Sequence, residues 1–254
     1  MDRIRKPFEG ITNILKFNWH YYLLAAIFIA AMFVLATILP AWMTTYLYLF
    51  AIVVSATVLV SLIVSCYIYD LSRLYQFAWL EKYQSSLTHH VANIHAGFDE
   101  TSHILHNKLP DSELVVFDFF DAEKHTEISI KRARNAYPAF AGTTQISTSS
   151  VPLKNNSTDG IFLTFAAHEI RADKERVEFF SQLRQALTDS GKIFVTEHLR
   201  DLPNFLVYNI GFFHFLPRST WDYTFKNAGL RICSIEKATP FTTTFILEKN
   251  GNPS

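Results

Sequence analysis

The pattern of hydrophobic and polar residues changes once along the chain, near residue 70. Before that point, residues 21–39 and 46–68 form two runs without charged side chains, in which most polar groups are hydroxyls. About 20 helical residues span the hydrocarbon of a bilayer, and hydroxyl groups can hydrogen-bond within their own helix. Pro40 ends the first run, and residues 40–45 are a short connection. The pattern predicts a transmembrane helical hairpin within residues 1–70.

Basic residues flank the two runs, whereas the connection between them is uncharged. They are Arg3, Arg5, Lys6 and Lys16 before the first run, and Arg73 and Lys82 after the second. The positive-inside rule then predicts two cytoplasmic termini, a two-pass anchor in the inner (cytoplasmic) membrane, and the lipid bilayer as a partner. Two alternatives stay open: a pair of buried core helices in a soluble protein, and a cleaved signal peptide.

Residues 71–87 are predicted to be a linker or an interfacial helix. Apolar side chains recur there at helical spacing, which predicts a helix that runs to about residue 90: Leu71, Leu74, Tyr75, Ala78 and Trp79. This segment either lies on the membrane surface or packs on the following domain.

Residues 88–254 are one domain by length, in which short apolar strands alternate with helices. The predicted strands are 90–96, 113–117, 140–146, 160–166, 192–196, 231–236 and 242–247, and the predicted helices are 100–108, 126–135, 175–187, 202–215 and 220–227. A turn is predicted at 189–191. Repeated strand-helix-strand units indicate a mostly parallel sheet with helices on both faces. The predicted fold class is α/β, a Rossmann-like doubly wound sheet with a closing antiparallel strand pair, preceded by the hairpin.

Composition narrows the possible partners. The chain has 23 basic and 23 acidic residues, so its net charge is zero, and its pI is near 7.2. This balance predicts no nucleic-acid partner. The two cysteines, Cys66 and Cys233, lie in different environments and form no disulfide framework, which suits a reducing cytoplasm.

Polar residues follow the predicted strands, at the edge where ligands bind in such sheets. Gly97 follows the first strand, Asp118 ends the second, and the polar loop 147–153 follows the third. A glycine lets backbone approach a ligand, and a carboxylate can accept ribose hydroxyls. The fourth and fifth strands end in mirrored pairs, each followed by an arginine: His168-Glu169 with Arg171, and Glu197-His198 with Arg200. The edge is predicted to be a nucleoside site with titratable groups beside it.

Three further segments complete a family resemblance: residues 157–163, the helix 179–187 that leads to Gly191, and Ala228-Gly229-Leu230. With the strand ends, they make residues 88–248 similar to class I S-adenosylmethionine-dependent methyltransferases. The resemblance implies S-adenosylmethionine as the cofactor. It implies that cofactor-binding residues are Gly97 in the cofactor loop, Asp118 at the ribose, Ser147 or Thr148 near adenine, and Ala166 beside the methyl-donor sulfur, with Asp99 and Phe119 as further contacts.

The mirrored pairs are the candidate catalytic residues: His168, Glu169, Glu197 and His198. Histidine titrates near neutral pH, so we expect His168 to remove or orient a proton of the acceptor while Glu169 or Glu197 holds its imidazole. The candidate substrate-binding residues are Arg171, Arg200, Asn204, Tyr208 and His214. Arg132 and Arg134 are interpreted as a solvated helix face, with a phosphate clamp as the alternative.

Three functions are compatible with these residues. The first is a membrane-anchored methyltransferase for a small hydrophobic acceptor, such as a quinone, an isoprenoid or an aryl polyene, with membrane-associated biosynthetic partners. The second is a catalytically silent relative that binds a ligand or scaffolds a membrane complex, an interpretation favoured by the reduction of the glycine loop to Gly97. The third is a metal-dependent hydrolase, which the interleaved arginines disfavour, so that no metal is expected. Its residues would be His168, Glu169, Glu197, His198 and Asp201.

Overall fold

A computed structural model describes residues 5–125 and 127–251, so Arg3 of the predicted basic flank lies outside the described residues. Two long helices open the chain, α1 (Glu9–Ile38) and α2 (Ala41–Cys66). They pack antiparallel with aromatic contacts between them, such as Phe28 with Phe50 at 5.8 Å between ring centroids. Both helices are long and apolar enough to cross a membrane, and only 6 % of the residues in the apolar stretch of each helix are buried. The predicted helical hairpin is therefore present, and α1 begins before the first apolar run.

One carboxylate closes the base of the hairpin. After α2 the chain forms a π turn (Tyr67–Leu71), in which Asp70 accepts hydrogen bonds from the backbone N–H groups of Gly10 at 2.7 Å and Ile11 at 2.8 Å. These N–H groups lie in the first turn of α1, where helical carbonyls cannot satisfy them and a negative charge is favourable. Gly10 permits the approach, because a Cβ atom there would lie 2.5 Å from Cβ of Tyr69.

The rest of the chain forms one seven-stranded sheet with helices. The strands are β1 (His90–His95), β2 (Glu113–Asp118), β3 (Thr144–Gln145), β4 (Thr158–Thr164), β5 (Leu187–Glu197), β6 (Leu230–Thr239) and β7 (Thr242–Lys249). The helices are α3 (Ser102–Lys108), α4 (Ile128–Ala136), α5 (Asp173–Ala186), α6 (Leu202–Tyr208) and α7 (Arg218–Asn227). The strand order is β3-β2-β1-β4-β5-β7-β6, with β7 antiparallel to both β5 and β6 and the other pairs parallel. The predicted α/β fold with a closing antiparallel pair is confirmed.

Successive residues of the central strands cover opposite faces of the sheet, as the two-residue period of a strand requires. Ile161 of β4 belongs to a core cluster that includes Phe179 of α5 and Trp221 of α7. Its neighbour Phe162 belongs to a second cluster, which contains Trp79 and other residues of the segment that precedes β1. The helices α5 and α7 therefore cover one face, and residues 77–87 help to cover the other.

The structure differs from the sequence predictions in the connecting segments. Residues 71–90 are not one helix: three short 3-10 helices follow the π turn (Leu74–Gln76, Ala78–Lys82 and Gln84–Ser86), and they pack on the sheet. Residues 189–191 fall within β5, but the ladder with β4 is interrupted there: Thr158 pairs with Leu187 and Gly160 with Lys192, so residues 188–191 bulge out at the predicted turn. The strand predicted at 140–146 is reduced to β3. The helix predicted at 202–215 ends at Tyr208, because Asn209 has a φ of +48° that an α-helix excludes; a 3-10 helix (Asn209–His214) follows.

Candidate functional site

Two cavities lie at the carboxyl ends of the parallel strands. The first cavity, of about 270 Å³, is lined by residues at the ends of β1 and β4, by Glu127 and by His214. The second cavity, of about 480 Å³, is lined by the loops after β2 and β3 and by residues that lead into α5. Glu169 lines both cavities, and Tyr69 at the exit of the hairpin lines the first. The predicted strand-end site is thus a pair of cavities next to the hairpin.

His168, after β4, is held between two carboxylates. Its Nδ1 lies 2.7 Å from Oε2 of Glu197, and its Nε2 lies 3.2 Å from Oε1 of Glu169. Burial lowers the pKa of His168, but attraction to Glu197 and hydrogen bonds to both carboxylates outweigh this and raise the pKa to about 10. The ring is therefore an imidazolium that donates both N–H groups. The expectation that His168 removes a proton from an acceptor conflicts with this geometry, because neither nitrogen has a free lone pair.

His214 extends the same alternation of acid and base. Its Nε2 lies 3.2 Å from Oε1 of Glu169, and its Nδ1 lies 2.9 Å from Oε1 of Glu127. Burial lowers the pKa of His214, but the two hydrogen bonds outweigh it and raise the pKa, and the bond to His214 lowers the pKa of Glu127. Burial opposes ionisation of Glu169, yet its bonds to His168 and His214 hold its pKa well below the usual range. Glu197, His168, Glu169, His214 and Glu127 are called the acid-histidine chain below.

The acid-histidine chain also offers metal ligands. Ligand atoms of His168, Glu169 and His214 lie within 4.8 Å of one another. However, Nη2 of Arg171 lies 2.6 Å from Nδ1 of His214, and its Nη1 donates to the His214 carbonyl at 2.6 Å. A guanidinium this close to the His214 ring repels a metal cation, which disfavours a metal ion bound by that ring.

His198, after β5, has the opposite environment. It is 5 % exposed, and its ring stacks on Phe165 at 4.7 Å and on Phe215 at 5.0 Å. Its Nδ1–H donates to the carbonyl of Phe241 at 2.8 Å, and its Nε2 accepts from Oη of Tyr69 at 2.7 Å. Burial lowers the pKa of His198 to about 4. This neutral ring is engaged at both nitrogens and joins the hairpin exit to the sheet instead of facing a substrate.

Phe165, which was not predicted as a site residue, contacts both the hairpin exit and His198. It directly follows β4 and has a φ of +50°, a region that bulky side chains rarely adopt. Its ring touches both His198 and Tyr69, the latter at 5.9 Å between centroids. The backbone bend after β4 therefore helps to hold the hairpin exit against the site.

In the loop after β1, Gly97 has a left-handed backbone conformation, and Asp99 binds backbone N–H groups at the start of α3. Gly97 has a φ of +94°, and a Cβ atom there would lie 2.9 Å from the Phe120 ring. Oδ1 of Asp99 accepts from the N–H groups of Thr101 at 3.0 Å and Ser102 at 2.9 Å, at the start of α3. Gly97 thus has the conformation that favours glycine, while one oxygen of Asp99 is committed to the backbone.

Asp118, at the end of β2, is buried and already paired. Its Oδ1 accepts from the N–H of Phe120 at 2.9 Å, and its Oδ2 forms an ion pair with Arg134 of α4. Asp118 lines neither cavity. The two arginines that were interpreted as a solvated face both have partners: Arg134 pairs with Asp118, and Arg132 donates to the Phe17 carbonyl of α1 at 2.5 Å. A ribose could reach Asp118 only by displacing Arg134.

The remaining predicted cofactor residues divide between the second cavity and the core. Phe119, Ser147 and Thr148 line the second cavity, and the Thr148 hydroxyl donates to Glu175. Ala166 is buried behind the site and lines neither cavity. The second cavity therefore presents hydroxyl groups and aromatic rings, the groups that suit a nucleoside.

Two residues of β1 were not predicted as site residues. Asn93 and His95 line the first cavity, and Oδ1 of Asn93 and Nε2 of His95 are buried without a hydrogen-bond partner among the described residues. Nδ1 of His95 accepts from the N–H of Gly97 at 3.2 Å, which leaves an N–H group at Nε2. The sequence signal for these two residues is their spacing: they are polar, stand two positions apart in a buried strand and so point to the same side of the sheet.

The predicted substrate-binding residues mostly bind the backbone. Arg200 donates to the carbonyls of Phe215 at 2.7 Å and Phe213 at 2.6 Å. Asn204 is 1 % exposed and donates to the carbonyl of Phe241 at 3.2 Å. Tyr208 packs beside the His198 ring, at 5.4 Å. The other two line cavities: His214 the first and Arg171 the second.

Solved structures with a similar fold are methyltransferases. One, from Sulfolobus solfataricus, is described as a type 11 methyltransferase; it is 12 % identical, with a TM-score of 0.50, over 73 % of this chain and 96 % of its own. Another, a SAM-dependent methyltransferase from Methanosarcina mazei, is 12 % identical, with a TM-score of 0.50, over 68 % of this chain and 97 % of its own. No family model and no curated protein matches the sequence. The resemblance to class I methyltransferases is confirmed as a resemblance of fold.

Proposed function

We propose that this chain is a membrane-anchored S-adenosylmethionine-dependent methyltransferase that acts on a hydrophobic acceptor, such as a quinone, an isoprenoid or an aryl polyene. One observation carries the proposal: the exit of the apolar hairpin lines the same cavity as the strand ends of a methyltransferase fold. Tyr69 and Tyr75 contribute to the first cavity together with Asn93, His95 and His168. An acceptor dissolved in the bilayer would meet the site at the anchor itself.

The groups that line the two cavities fit S-adenosylmethionine. The unpartnered N–H of His95 and Oδ1 of Asn93 match the carboxylate and ammonium of an amino acid, and the second cavity offers Ser147 and Phe119 to a nucleoside. The volume of the second cavity, about 480 Å³, is in the usual range for small-molecule sites, and that of the first, about 270 Å³, is slightly below it. When bound, this cofactor supplies an electrophilic methyl group.

The acid-histidine chain would position the acceptor. His168 donates to Glu169 and Glu197, so it holds the Glu169 carboxylate at the junction of the cavities instead of taking a proton. Fixed charges of this kind act without reorganisation in a site that excludes water. In this proposal His168 is a positioning residue.

The hairpin would serve as a two-pass anchor in the inner membrane, with the sheet domain in the cytoplasm. Its apolar residues are exposed along both helices, which disfavours a pair of soluble core helices. Arg5 donates to Glu100 at 2.9 Å and to the Tyr69 carbonyl at 2.9 Å, so this basic flank lies on the domain side. The positive-inside rule then favours a cytoplasmic domain.

A catalytically silent relative is the second candidate, because Arg134 occupies the carboxylate of Asp118. Full-length protein in lipid nanodiscs separates the two candidates. Calorimetry with S-adenosylhomocysteine measures binding, and transfer of a tritiated methyl group into lipids extracted from a deletion strain measures turnover. Mass spectrometry of the same lipids would identify an acceptor that is lighter by one methylene than its wild-type product.

We expect wild-type protein to bind and to transfer. Glu169→Gln should lose about a hundredfold or more in transfer, the scale reported for removal of one preorganised electrostatic group. Glu178→Gln, on the exposed surface of α5, is the matched control and should retain the wild-type rate. Binding without transfer would favour the silent relative, and the absence of binding would overturn the assignment of the cofactor.

A further inference from the structure

Residues 202–213 form an apolar segment, made of α6 and the start of the following 3-10 helix, that carries no charged side chain. Ile210 is 85 % exposed and Leu206 is 62 % exposed. The other large exposed apolar residues of the segment are Leu202, Phe205 and Phe213. So many exposed apolar side chains in twelve residues are unusual for a surface in contact with water.

Hydrogen bonds of backbone and polar side-chain groups attach the apolar segment to the rest of the domain. Asp201 caps α6 by accepting from the N–H of Asn204 at 3.1 Å, and Asn204 and Val207 are buried. At the other end, Arg200 donates to the Phe213 carbonyl, and Arg171 donates to the His214 carbonyl. The backbone is thus anchored on one side, and the apolar side chains point away from the domain on the other.

The position of the segment indicates what covers it. α6 contacts α2 of the hairpin, so the exposed apolar residues of the two helices are continuous. His214, the residue that follows the segment, lines the first cavity. The exposed leucine, isoleucine and phenylalanine side chains of this surface resemble the apolar face of an interfacial membrane element.

We propose that residues 202–213 lie in the interface of the bilayer, and that a lipid-phase molecule reaches the first cavity along this surface, which lies directly before His214 of the cavity lining. The proposal rests on the membrane anchoring proposed above and does not depend on the reaction. The occupant is the bilayer itself, because α2 brings α6 to the point where the hairpin leaves the membrane.

Site-specific fluorescence in nitroxide-containing vesicles tests the proposal on the full chain. In a Cys66→Ala, Cys233→Ser background, Ile210→Cys is labelled with an environment-sensitive dye in vesicles of phosphatidylcholine and phosphatidylglycerol. Leu206→Cys is a second position, in case the first variant does not fold. Val53→Cys, in the middle of α2, reports anchoring, and Asp189→Cys, at the opposite edge of the sheet, reports water.

The labels at Ile210 and Leu206 should show blue-shifted emission that nitroxides near the headgroups quench. The Val53 label should be quenched by deep nitroxides, and the Asp189 label by neither. If the Val53 label is quenched while the two segment labels emit as in water, the inference is overturned and anchoring stands. Blue-shifted emission that lipid nitroxides leave unquenched would mean that protein covers the segment, which also overturns it. An unquenched Val53 label would refute the anchoring.

Discussion

The ends of β4 and β5 carry the same residues in mirrored order, yet their histidines have opposite chemistry. His168 lies between the carboxylates of Glu169 and Glu197 and is held as an imidazolium. His198 lies between the rings of Phe165 and Phe215 and is held neutral. Both histidines stand next to a glutamate in the sequence. Their protonation states nevertheless depend on the side chains that the fold places around each ring.

Glu197 shows how this difference arises. It precedes His198 in the chain, but its carboxylate binds the ring and the backbone N–H of His168 on the neighbouring strand. Adjacent residues of an extended strand point to opposite sides, so Glu197 and His198 cannot face the same partner. His198 is thereby directed towards Tyr69 and the Phe241 carbonyl, where aromatic rings exclude charge.

The largest loss of stability is expected when the buried carboxylate of Glu197 is removed. Glu197→Ala leaves the His168 imidazolium without its nearest anion, and breaking a buried ion pair typically costs about 3–5 kcal/mol of unfolding free energy. Denaturant unfolding of the full-length protein in detergent measures the loss. Glu236→Ala is the control, since its exposed pair with Lys82 should contribute about 0–1 kcal/mol. Equal losses in the two variants would show that His168 carries no charge.

The pH dependence of stability should separate the two histidines. The raised pKa of His168 contributes stability that is fully present below pH 6.5 and is lost as pH rises through about 10. The depressed pKa of His198 contributes stability that is present above pH 6.5 and is lost as pH falls towards about 4, to the extent of about 3 kcal/mol.

Melting temperatures measured from pH 4 to pH 10 check both effects. His168→Gln should flatten the alkaline decrease relative to wild type, and His198→Gln should flatten the acidic decrease. If one substitution removed both decreases, the two rings would titrate together and the contrast between them would be lost.

At the end of β2, the question is whether a ligand can replace Arg134 as the partner of Asp118. Asp118→Ala should weaken binding of S-adenosylhomocysteine by about 1.5–3 kcal/mol, because charge-assisted bonds to ribose hydroxyls are lost. Arg134→Ala should preserve or tighten binding, since it frees the same carboxylate. Calorimetry on the two variants measures both changes. Equal weakening would instead indicate that the ion pair is structural.

The smallest effect is expected at the junction with the hairpin. Tyr69→Phe keeps the ring contacts of Tyr69 but removes its hydrogen bond to His198, at a cost of about 0.5–1.5 kcal/mol of unfolding free energy. Tyr67→Phe, in the same turn and 42 % exposed, is the control. A change in the Tyr69 variant no larger than that of the control would mean that the Phe241 carbonyl and the neighbouring aromatic rings hold His198 without the Tyr69 hydroxyl.

Sequence patterns correctly predicted the helices and strands that are marked by the residues of the segment itself. The uncharged runs predicted α1 and α2, and apolar strands that alternate with helices predicted the sheet and placed Gly97 and Asp118 at its ligand-binding edge. Local signals failed at residues 71–90. Helical spacing of Leu74, Ala78 and Trp79 is equally compatible with short turns that pack on a sheet, and the contact of Trp79 with Phe194 of β5 decides between them.

The hairpin, the fold class and the edge of the sheet that carries the candidate site follow from the amino-acid pattern, because hydrophobic periodicity acts over a few residues. Only the tertiary structure decided that His168 is charged, that His198 is neutral and that Arg134 binds Asp118. These properties depend on groups distant in the chain, such as Tyr69 beside His198, and on burial, which sequence spacing does not encode. Ionisation responds to those neighbours over a few ångströms, so it follows from the packed fold alone.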